Sequence, residues 1–443
     1  MSNKRTILIG TFILTATGFL TRFIGFFFRM FLSHTFGEEQ VGLYQLIFPI
    51  YALCFSLTSA GIETAISRCT ARKISLGKQN EAVGLLYIGL GFSILLSVLT
   101  LFVLQTHASD FAIYILGDIR CEPMLIAISY ALPFASVHSC ICGYYFGLKQ
   151  TKTPAISQLI EQIARVGAVF IIYQFALNHD GEMNILFAVI GIVAGECCST
   201  LFCVTCFTSG KKKIHSTNSF STFFPLSREL LQLAIPLTSS RILLNILQSV
   251  ESISIPLRLQ QYGYTTSEAL SNYGVLTGMA LPCVLFPSAL TNSISTMLMP
   301  TVAEIQATKD YSKLKTIIQK VFLSCSSLGL CCFFLFFILS KWMGTILFHS
   351  ELASDYLKTL SFICPFLYLN STLISVINGL GNATTSLIVN TIGLIIRITG
   401  VLIFIPIVGM NGYLWGLLLS QIITSILCIF HLVFHFKKRV IAL

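Results

Sequence analysis

The sequence predicts an all-α polytopic membrane protein with about twelve transmembrane helices. Two observations on composition support this prediction: 55% of the 443 residues are hydrophobic, and only 10% are charged. A soluble domain has roughly a quarter of its residues charged, so water is a poor solvent for this surface. The third observation is a series of long apolar stretches, each long enough to cross the hydrocarbon core as a helix of about 20 residues.

We predict twelve membrane spans joined by mostly short loops, none of which is long enough to form a separate soluble domain. The first span is longer than the apolar core of a signal peptide and contains two arginines, so we expect a retained helix. The predicted spans are 6–31, 41–66, 82–105, 123–147, 154–177, 183–208, 228–252, 270–296, 316–341, 355–377, 384–405 and 412–436.

The Lys and Arg residues are unevenly distributed over the predicted loops. With the N-terminus inside, 19 of the 28 Lys and Arg residues fall in cytoplasmic segments and 4 in outer segments. Cytoplasmic loops carry the excess of Lys and Arg in membrane proteins. We therefore expect a multi-pass protein of the cell membrane with both termini in the cytoplasm. The net charge of +10 then reflects topology and is poor evidence for nucleic-acid binding.

An internal repeat divides the chain into two halves. Residues 129–165 align without a gap to residues 361–397, and each copy enters the membrane from the same side because six spans separate them. We predict two parallel six-helix repeats: an N-terminal lobe at 1–208, a cytoplasmic linker at 209–226 and a C-terminal lobe at 227–443. The matched residues include the pairs Ser129 and Ser361, Pro133 and Pro365, Ser139 and Ser371, Gly147 and Gly379, and Arg165 and Arg397.

Polar residues form a stripe on the first helix of each lobe. Their steps of three and four residues place them on one helical face. Guanidinium groups bind phosphate or carboxylate bidentately, so these faces are expected to line one central cavity that binds an anionic substrate. The stripes are Thr11, Thr15, Gly18, Arg22, Gly25 and Arg29 in the first lobe, and Thr238, Arg241, Asn245, Gln248 and Ser252 in the second. The predicted substrate-binding residues are Arg22, Arg29, Arg241, Asn245 and Gln248.

A structural role is the alternative for these arginines. Glu63, Glu196 or Glu251 would then neutralise Arg22 and Arg241 inside the protein, and Arg29 would extend its guanidinium to the outer interface.

Further ionisable residues lie within the predicted spans, where charge is costly and marks a cavity or a partner. Glu63 and Glu196 are candidates for proton-linked carboxylates or for partners of a buried arginine. Glu161 and Arg165 are four residues apart and can pair within one helix. In the second repeat Arg397 is retained, whereas glycine replaces the acid. We assign these five residues, Glu63, Glu161, Arg165, Glu196 and Arg397, a supporting or ion-coupling role. His138 is a weaker candidate and is expected to be a packing residue.

The sequence predicts no catalytic residues and no cofactor. It contains no GxxxxGK[ST], HExxH, GxSxG or DxD motif, and no loop is large enough for a polar active site. Cys203 and Cys206 form a CxxC, but no second CxxC or paired histidine completes a metal site. We expect these cysteines to be small apolar helix residues and expect no metal site.

Residues 15–51 carry a recognisable pattern in which an R-x-x-G-F-x-x-R helix is followed by G-L-Y-Q-x-x-F-P-x-Y. This pattern resembles the polysaccharide-export branch of the multidrug/oligosaccharidyl-lipid/polysaccharide (MOP) exporter superfamily, in particular its stage V sporulation protein B-like group. The residues that carry it are Arg22, Gly25, Phe26, Arg29, Gly37, Gly42, Leu43, Tyr44, Gln45, Phe48, Pro49 and Tyr51.

The resemblance implies a fold like that of multidrug (MATE-type) exporters and lipid II flippases, with a cavity lined by helices 1, 2, 7 and 8. It also implies a flippase for a polyprenyl-pyrophosphate-linked oligosaccharide or a peptidoglycan precursor, working by alternating access. The expected partners are this lipid-linked saccharide and membrane lipids, with H⁺ or Na⁺ as the open choices for a coupling ion. A cation-coupled multidrug exporter is the first alternative. A major-facilitator carrier ranks lower, because the loop after helix 2 lacks that group's motif.

Overall fold

The computed structural model describes residues 2–178, 184–209, 220–307 and 311–440. Most of the predicted linker at 209–226 lies outside these ranges, including Lys211, Lys212 and Lys213. The side chain of Thr11, a residue of the predicted polar stripe, also lies outside the described part of the chain. Within the described ranges every regular element is a helix, so the all-α prediction is confirmed.

The helices are long, and several are interrupted. Short α-, π- or 3₁₀-helical turns join them at Ser56–Ala60, Ala108–Asp110 (α5), Phe111–Leu116, Ile119–Cys121, Val275–Ala280, Met343–Leu347 and Gly400–Phe404. The other α-helices are α1 Ser2–Leu46, α2 Phe48–Phe55, α3 Gly61–Ser75, α4 Gln79–Thr106, α6 Glu122–Ser129, α7 Ala131–Gly147, α8 Lys152–Asn178, α9 Leu186–Ser209, α10 Phe220–Tyr262, α11 Thr266–Gly274, α12 Leu281–Leu285, α13 Ser288–Ala307, α14 Tyr311–Trp342, α15 Glu351–Ser361, α16 Cys364–Gly379, α17 Ala383–Thr399, α18 Ile405–Val408 and α19 Met410–Val440.

These helices agree with the prediction of about twelve membrane spans. Among the described residues, 8 helices are long and apolar enough to cross a membrane, or up to 11 when each bent helix pair counts as one span. One of these segments, Phe12–Ser75, has 64 residues. At 1.5 Å per residue it is about three times as long as the roughly 30 Å hydrocarbon core, so it accommodates the two predicted spans 6–31 and 41–66. The backbone leaves helical geometry between them, at Gly37 (φ 78°, ψ 174°).

The described residues form two compact units. The first comprises Met1–Phe28 and Leu43–Ile253, and the second comprises Arg29–Gly42 and Ser254–Leu443. These units do not follow the predicted lobes 1–208 and 227–443 in two places. Residues Arg29–Gly42, from the end of the first predicted span to the start of the second, belong to the second unit, and α10 as far as Ile253 belongs to the first unit. The lobes are defined by sequence symmetry rather than by packing, and their limits stay a prediction.

The core of the first unit lies between α3, α4, α7 and the start of α10. Its buried residues include Ile66, Leu85 and Leu230, each at most 1% exposed. Helix α7 also packs against α9, which in turn packs against α8. Glycines permit these close approaches: a Cβ at Gly143 would lie 2.6 Å from the carbonyl oxygen of Glu63. The α3, α7, α8 and α9 faces that carry Glu63, His138, Glu161 and Glu196 are thereby held together.

The core of the second unit lies between α13, α14, α16 and α19. Val302, Leu314 and Ile377 are each at most 1% exposed there. The buried polar side chains find partners within the unit: the Tyr368 hydroxyl donates to the carbonyl oxygen of Val284 at 2.7 Å. The Asn370 amide donates to the Gln421 side chain at 2.8 Å.

The aligned segments of the two repeats have matching backbone features. In the first copy, Ile119–Ser129 and Ala131–Gly147 are bent by 44°; in the second, Glu351–Ser361 and Cys364–Gly379 are bent by 54°. Each bend falls at the same place in the alignment, just after Ser129 and Ser361. The similarity agrees with the predicted repeat.

Candidate functional site: a glutamate-lined cavity in the first unit

The predicted substrate-binding arginines Arg22 and Arg241 both keep exposed side chains in the first unit. Arg241 lies on α10 and donates a hydrogen bond to the Thr64 hydroxyl at 3.2 Å. Thr64 follows Glu63 on α3, so Arg241 lies near that carboxyl as well. Arg22 lies on α1.

The other residues of the α10 stripe differ in exposure. The Asn245 amide donates to the Ser56 hydroxyl and to the carbonyl oxygen of Ala52, the latter at 3.3 Å. Gln248, one turn further on, is exposed. Some residues of the α10 stripe therefore contact segment 48–64, whereas others are exposed.

Two predicted arginines belong to the second unit. Arg29 is half-buried, and its guanidinium donates to the carbonyl oxygen of Thr277 at 3.4 Å. Arg397 is half-buried on α17. The predicted arginines are thus divided between the two units rather than gathered within one.

Three predicted supporting residues meet in one cavity of about 260 Å³ in the first unit. Helices α3, α8 and α9 supply Glu63, Glu161 and Glu196, and α7 adds His138 and Ser139. The remaining lining residues are Leu14, Phe55, Ala135, Cys142, Phe146, Pro154 and Gln158. Neither Arg22 nor Arg241 is among these described lining residues. The structure thus gathers the acids, which are far apart in sequence, around a histidine that the sequence predicts to be a packing residue.

Each carboxyl of this cavity has a different partner. The Ser139 hydroxyl donates to Glu63 at 3.1 Å. Arg165 forms an ion pair with Glu161 one helical turn away on α8, as the spacing predicts. Glu196, which is only 8% exposed, lies 3.4 Å from Nδ1 of His138. The three acids, Arg165 and the nearby Arg241 leave an excess of one negative charge when all are ionised, which favours a cation or a bound proton in the cavity.

His138 joins three helices through both of its ring nitrogens. Nδ1 faces Glu196 and the Ser199 hydroxyl on α9, the latter at 3.3 Å. Nε2 lies 3.0 Å from the Ser157 hydroxyl on α8. A ring nitrogen of His138 and the carboxylate oxygens of Glu161 and Glu196 all lie within 4.8 Å of one another. No helical periodicity could have revealed this cluster, because its members come from separate helices.

Comparisons with known proteins agree with this fold. Residues 7–306, more than half of the chain, match the family described as polysaccharide biosynthesis protein. Stage V sporulation protein B of Bacillus subtilis (strain 168) is 28% identical over 431 residues, covering 96% of this chain and 83% of that protein.

Two solved structures share the architecture. The lipid II flippase MurJ in an inward closed conformation has a TM-score of 0.69 at 17% identity, covering 95% of this chain and 87% of that chain. An inward-facing multidrug resistance MATE family transporter of the MOP superfamily has a TM-score of 0.68 at 14% identity, covering 92% of each chain. At these identities the likeness establishes the fold. The family match, which covers more than half of the chain, confirms the resemblance seen at residues 15–51: this multi-pass membrane chain belongs to the polysaccharide biosynthesis protein family.

Proposed function

We propose that the protein is a flippase that translocates a polyprenyl-pyrophosphate-linked oligosaccharide or a peptidoglycan precursor across the cytoplasmic membrane. The observation that carries the proposal is the exposure of Arg22 and Arg241, each within a segment able to cross the membrane. The family membership and the fold shared with a lipid II flippase support the substrate class.

The cost of intramembrane charge supports a cavity around these arginines. A charged side chain at a helix centre costs about 2.5–3.5 kcal/mol on insertion scales, so exposed arginines normally face water rather than lipid. Guanidinium groups hold phosphate oxygens bidentately, and a cationic cavity lowers the cost of bringing a pyrophosphate into a low-dielectric region. Arg22 and Arg241 would therefore bind the pyrophosphate, with Asn245 and Gln248 of the same unit assisting. Arg29, which belongs to the second unit, would contribute to substrate binding there. The protein would act as a carrier rather than as an enzyme.

Alternating access between two six-helix lobes would move the headgroup across. Both termini and the linker would face the cytoplasm, as the distribution of Lys and Arg favours. Glu63, Glu161 and Glu196 would couple this movement to H⁺ or Na⁺, because their cavity has an excess of negative charge. Arg165 would hold Glu161 in place, and Arg397 would have a supporting role in the second lobe.

The second candidate is a cation-coupled multidrug exporter. The cavity lined by Glu63, Glu161 and Glu196 favours it, because clustered carboxyls attract organic cations as well as small ions. The fold shared with a MATE family transporter is compatible with either function. The two candidates differ in substrate charge, which makes them separable in one assay.

The test is flipping of a fluorescent polyprenyl-pyrophosphate saccharide in proteoliposomes. We expect protein-dependent flipping that falls at least tenfold in the Arg22→Ala/Arg241→Ala double variant, because each guanidinium binds the anionic headgroup. The Arg22→Lys/Arg241→Lys variant keeps the charge without the bidentate geometry and should retain intermediate activity.

Arg258→Ala is the matched control, since Arg258 lies on the same helix as Arg241 but outside the predicted span. The Arg258 guanidinium donates a hydrogen bond to the side-chain oxygen of Gln261 on the same helix at 2.7 Å. The alanine variant should therefore leave flipping unchanged. Full activity in the double alanine variant would refute the arginine roles. Absence of flipping, together with Glu63- or Glu196-dependent transport of a cationic dye in the same vesicles, would establish the exporter instead.

A further inference from the structure

Two cysteines and a histidine meet at the wall of the glutamate-lined cavity. His138 and Cys142 are four residues apart on α7 and so share one face of that helix. Cys203 comes from α9, which packs directly against α7. One ligand atom from each of the three lies within 4.8 Å of the other two. Cys142 is 7% exposed and Cys203 is fully buried.

The position of Ser157 indicates which ring nitrogen faces the thiols. Its hydroxyl lies 3.0 Å from Nε2 of His138 and 3.6 Å from the sulfur of Cys142. Nε2 and Cys142 therefore point toward the same small region. The other ring nitrogen, Nδ1, faces the carboxylate of Glu196 at 3.4 Å.

This arrangement has the parts of a thiolate-rich metal site. Histidine ligands of metals commonly direct their second nitrogen to a carboxylate, which orients the ring, and Glu196 occupies that position. With bonds of about 2.0–2.3 Å, the ligand atoms of a tetrahedral Zn²⁺ site lie about 3.5 Å apart, so side-chain adjustments of about 1 Å would close the trio around an ion. A fourth position would open to the cavity, which His138 and Cys142 both line.

Charge balance favours a divalent ion at this place. Two thiolates and one neutral imidazole carry two negative charges, which a divalent cation cancels. The resulting site is neutral and avoids the cost of a net charge in a low-dielectric interior. Soft sulfur ligands also select thiophilic ions over Na⁺, Mg²⁺ or Ca²⁺.

We propose that His138, Cys142 and Cys203 bind a thiophilic divalent cation of the Zn²⁺ class. Bound there, the ion would tie α7 to α9 beside the acidic cavity. This proposal departs from the expectation, made from the sequence, that the chain has no metal site. It does not depend on which substrate the protein carries.

The test is metal binding to the purified full-length chain in detergent, after removal of metal with a chelator. Added Co²⁺ serves as the probe, because thiolate ligation produces a sulfur-to-cobalt charge-transfer absorption that carboxylate or water ligation does not. We expect one equivalent of Co²⁺ with this band, displaced by Zn²⁺. We also expect Zn²⁺ to raise the midpoint of thermal unfolding, since an ion that binds only the folded chain stabilises it.

Matched variants separate the trio from the many other thiols. Cys142→Ser and Cys203→Ala should each lose the band and the Zn²⁺-dependent shift in the unfolding midpoint. Cys140→Ser on α7 and Cys206→Ser on α9 should keep both, because neither residue belongs to the trio.

Two results would overturn the assignment. The first is the absence of any charge-transfer band in the wild-type protein, which would leave the thiols as packing residues of the apolar cluster around Ile141 and Tyr145. The second is Co²⁺ binding that survives in Cys203→Ala and disappears in Glu161→Gln, which would place the ion between His138, Glu161 and Glu196.

Discussion

The aligned segments 129–165 and 361–397 share a backbone but differ in the polar groups they bury. Both contain a bend at the same aligned position, and both end their long helix at a glycine–leucine pair. His138 of the first segment corresponds to Asn370 of the second in the gapless alignment. His138 faces Glu196 and a cavity, whereas Asn370 is closed into a neutral network with Gln421 and Ser425.

The repeat therefore preserves geometry, while titratable chemistry is concentrated in one of the two aligned copies. Glycine, proline and small residues set the bends and close contacts, and these are retained. The ionisable groups are retained only in part: Arg165 and Arg397 align, but Gly393 replaces Glu161. Ion-dependent behaviour is therefore expected from segment 129–165, whereas segment 361–397 is expected to supply a largely neutral framework.

The largest effect is expected from breaking the ion pair in the first copy. Glu161→Gln should lower the free energy of unfolding by about 3 kcal/mol, because it leaves the largely buried Arg165 without its counter-charge. Thermal unfolding in detergent measures the loss. Glu161→Gln/Arg165→Gln removes both charges and should recover most of the stability. If the double variant were as unstable as Glu161→Gln alone, the loss of stability would not come from an Arg165 left without its counter-charge.

Replacing either of the aligned glycines Gly147 and Gly379 with alanine is expected to lower the free energy of unfolding by a similar amount in the two copies. A Cβ at Gly147 would lie 2.7 Å from the Ser67 carbonyl oxygen, and one at Gly379 would lie 2.7 Å from the Met299 carbonyl oxygen. Gly147→Ala and Gly379→Ala should each destabilise by about 1–3 kcal/mol, since backbone atoms cannot move aside cheaply.

Gly167→Ala is the control for these two variants, because nothing lies within 4 Å of its added Cβ. It should be neutral or stabilising, given the higher helix propensity of alanine. Unfolding midpoints of the three variants make the comparison. A large loss in only one of the two crowded positions would contradict the equivalence of the two copies.

The smallest effect on the free energy of unfolding is expected at the turns that follow α7 and α16. Lys149 and Gly381 are aligned and both have positive φ, at 59° and 84°. Each turn has the same backbone hydrogen bond: the amide N–H of Gln150 donates to the carbonyl oxygen of Tyr145, and that of Asn382 donates to the carbonyl oxygen of Ile377. Lys149→Gly should stabilise by about 0.5–1 kcal/mol because glycine adopts this region without steric cost, and Gly381→Lys should destabilise by about 1 kcal/mol.

Unfolding midpoints of the two reciprocal variants check this. Opposite shifts of similar size are expected, because a Cβ at Gly381 meets no neighbour and only the backbone strain remains. Shifts of the same sign would mean that the two turns differ in a way that their backbones do not reveal.

The membrane class, the approximate number of spans and the repeat were all predictable from the amino-acid sequence. These properties follow from apolar length and from local residue identity, which do not depend on how helices pack. The pairing of Glu161 with Arg165 was also predictable, because both residues lie one turn apart on one helix. The pattern at residues 15–51 was sufficient to indicate the family.

Which ionisable groups meet depends instead on the packing of separate helices. Glu63, His138, Glu161 and Glu196 lie on four helices, and periodicity within a helix gives a face but not the helix that packs against it. For the same reason Cys203 seemed to belong with Cys206 in a CxxC, whereas its neighbours are Cys142 and His138 from another helix. Contacts between helices depend on close approaches such as that of Gly143 to Glu63, and these arise only when the whole unit is packed.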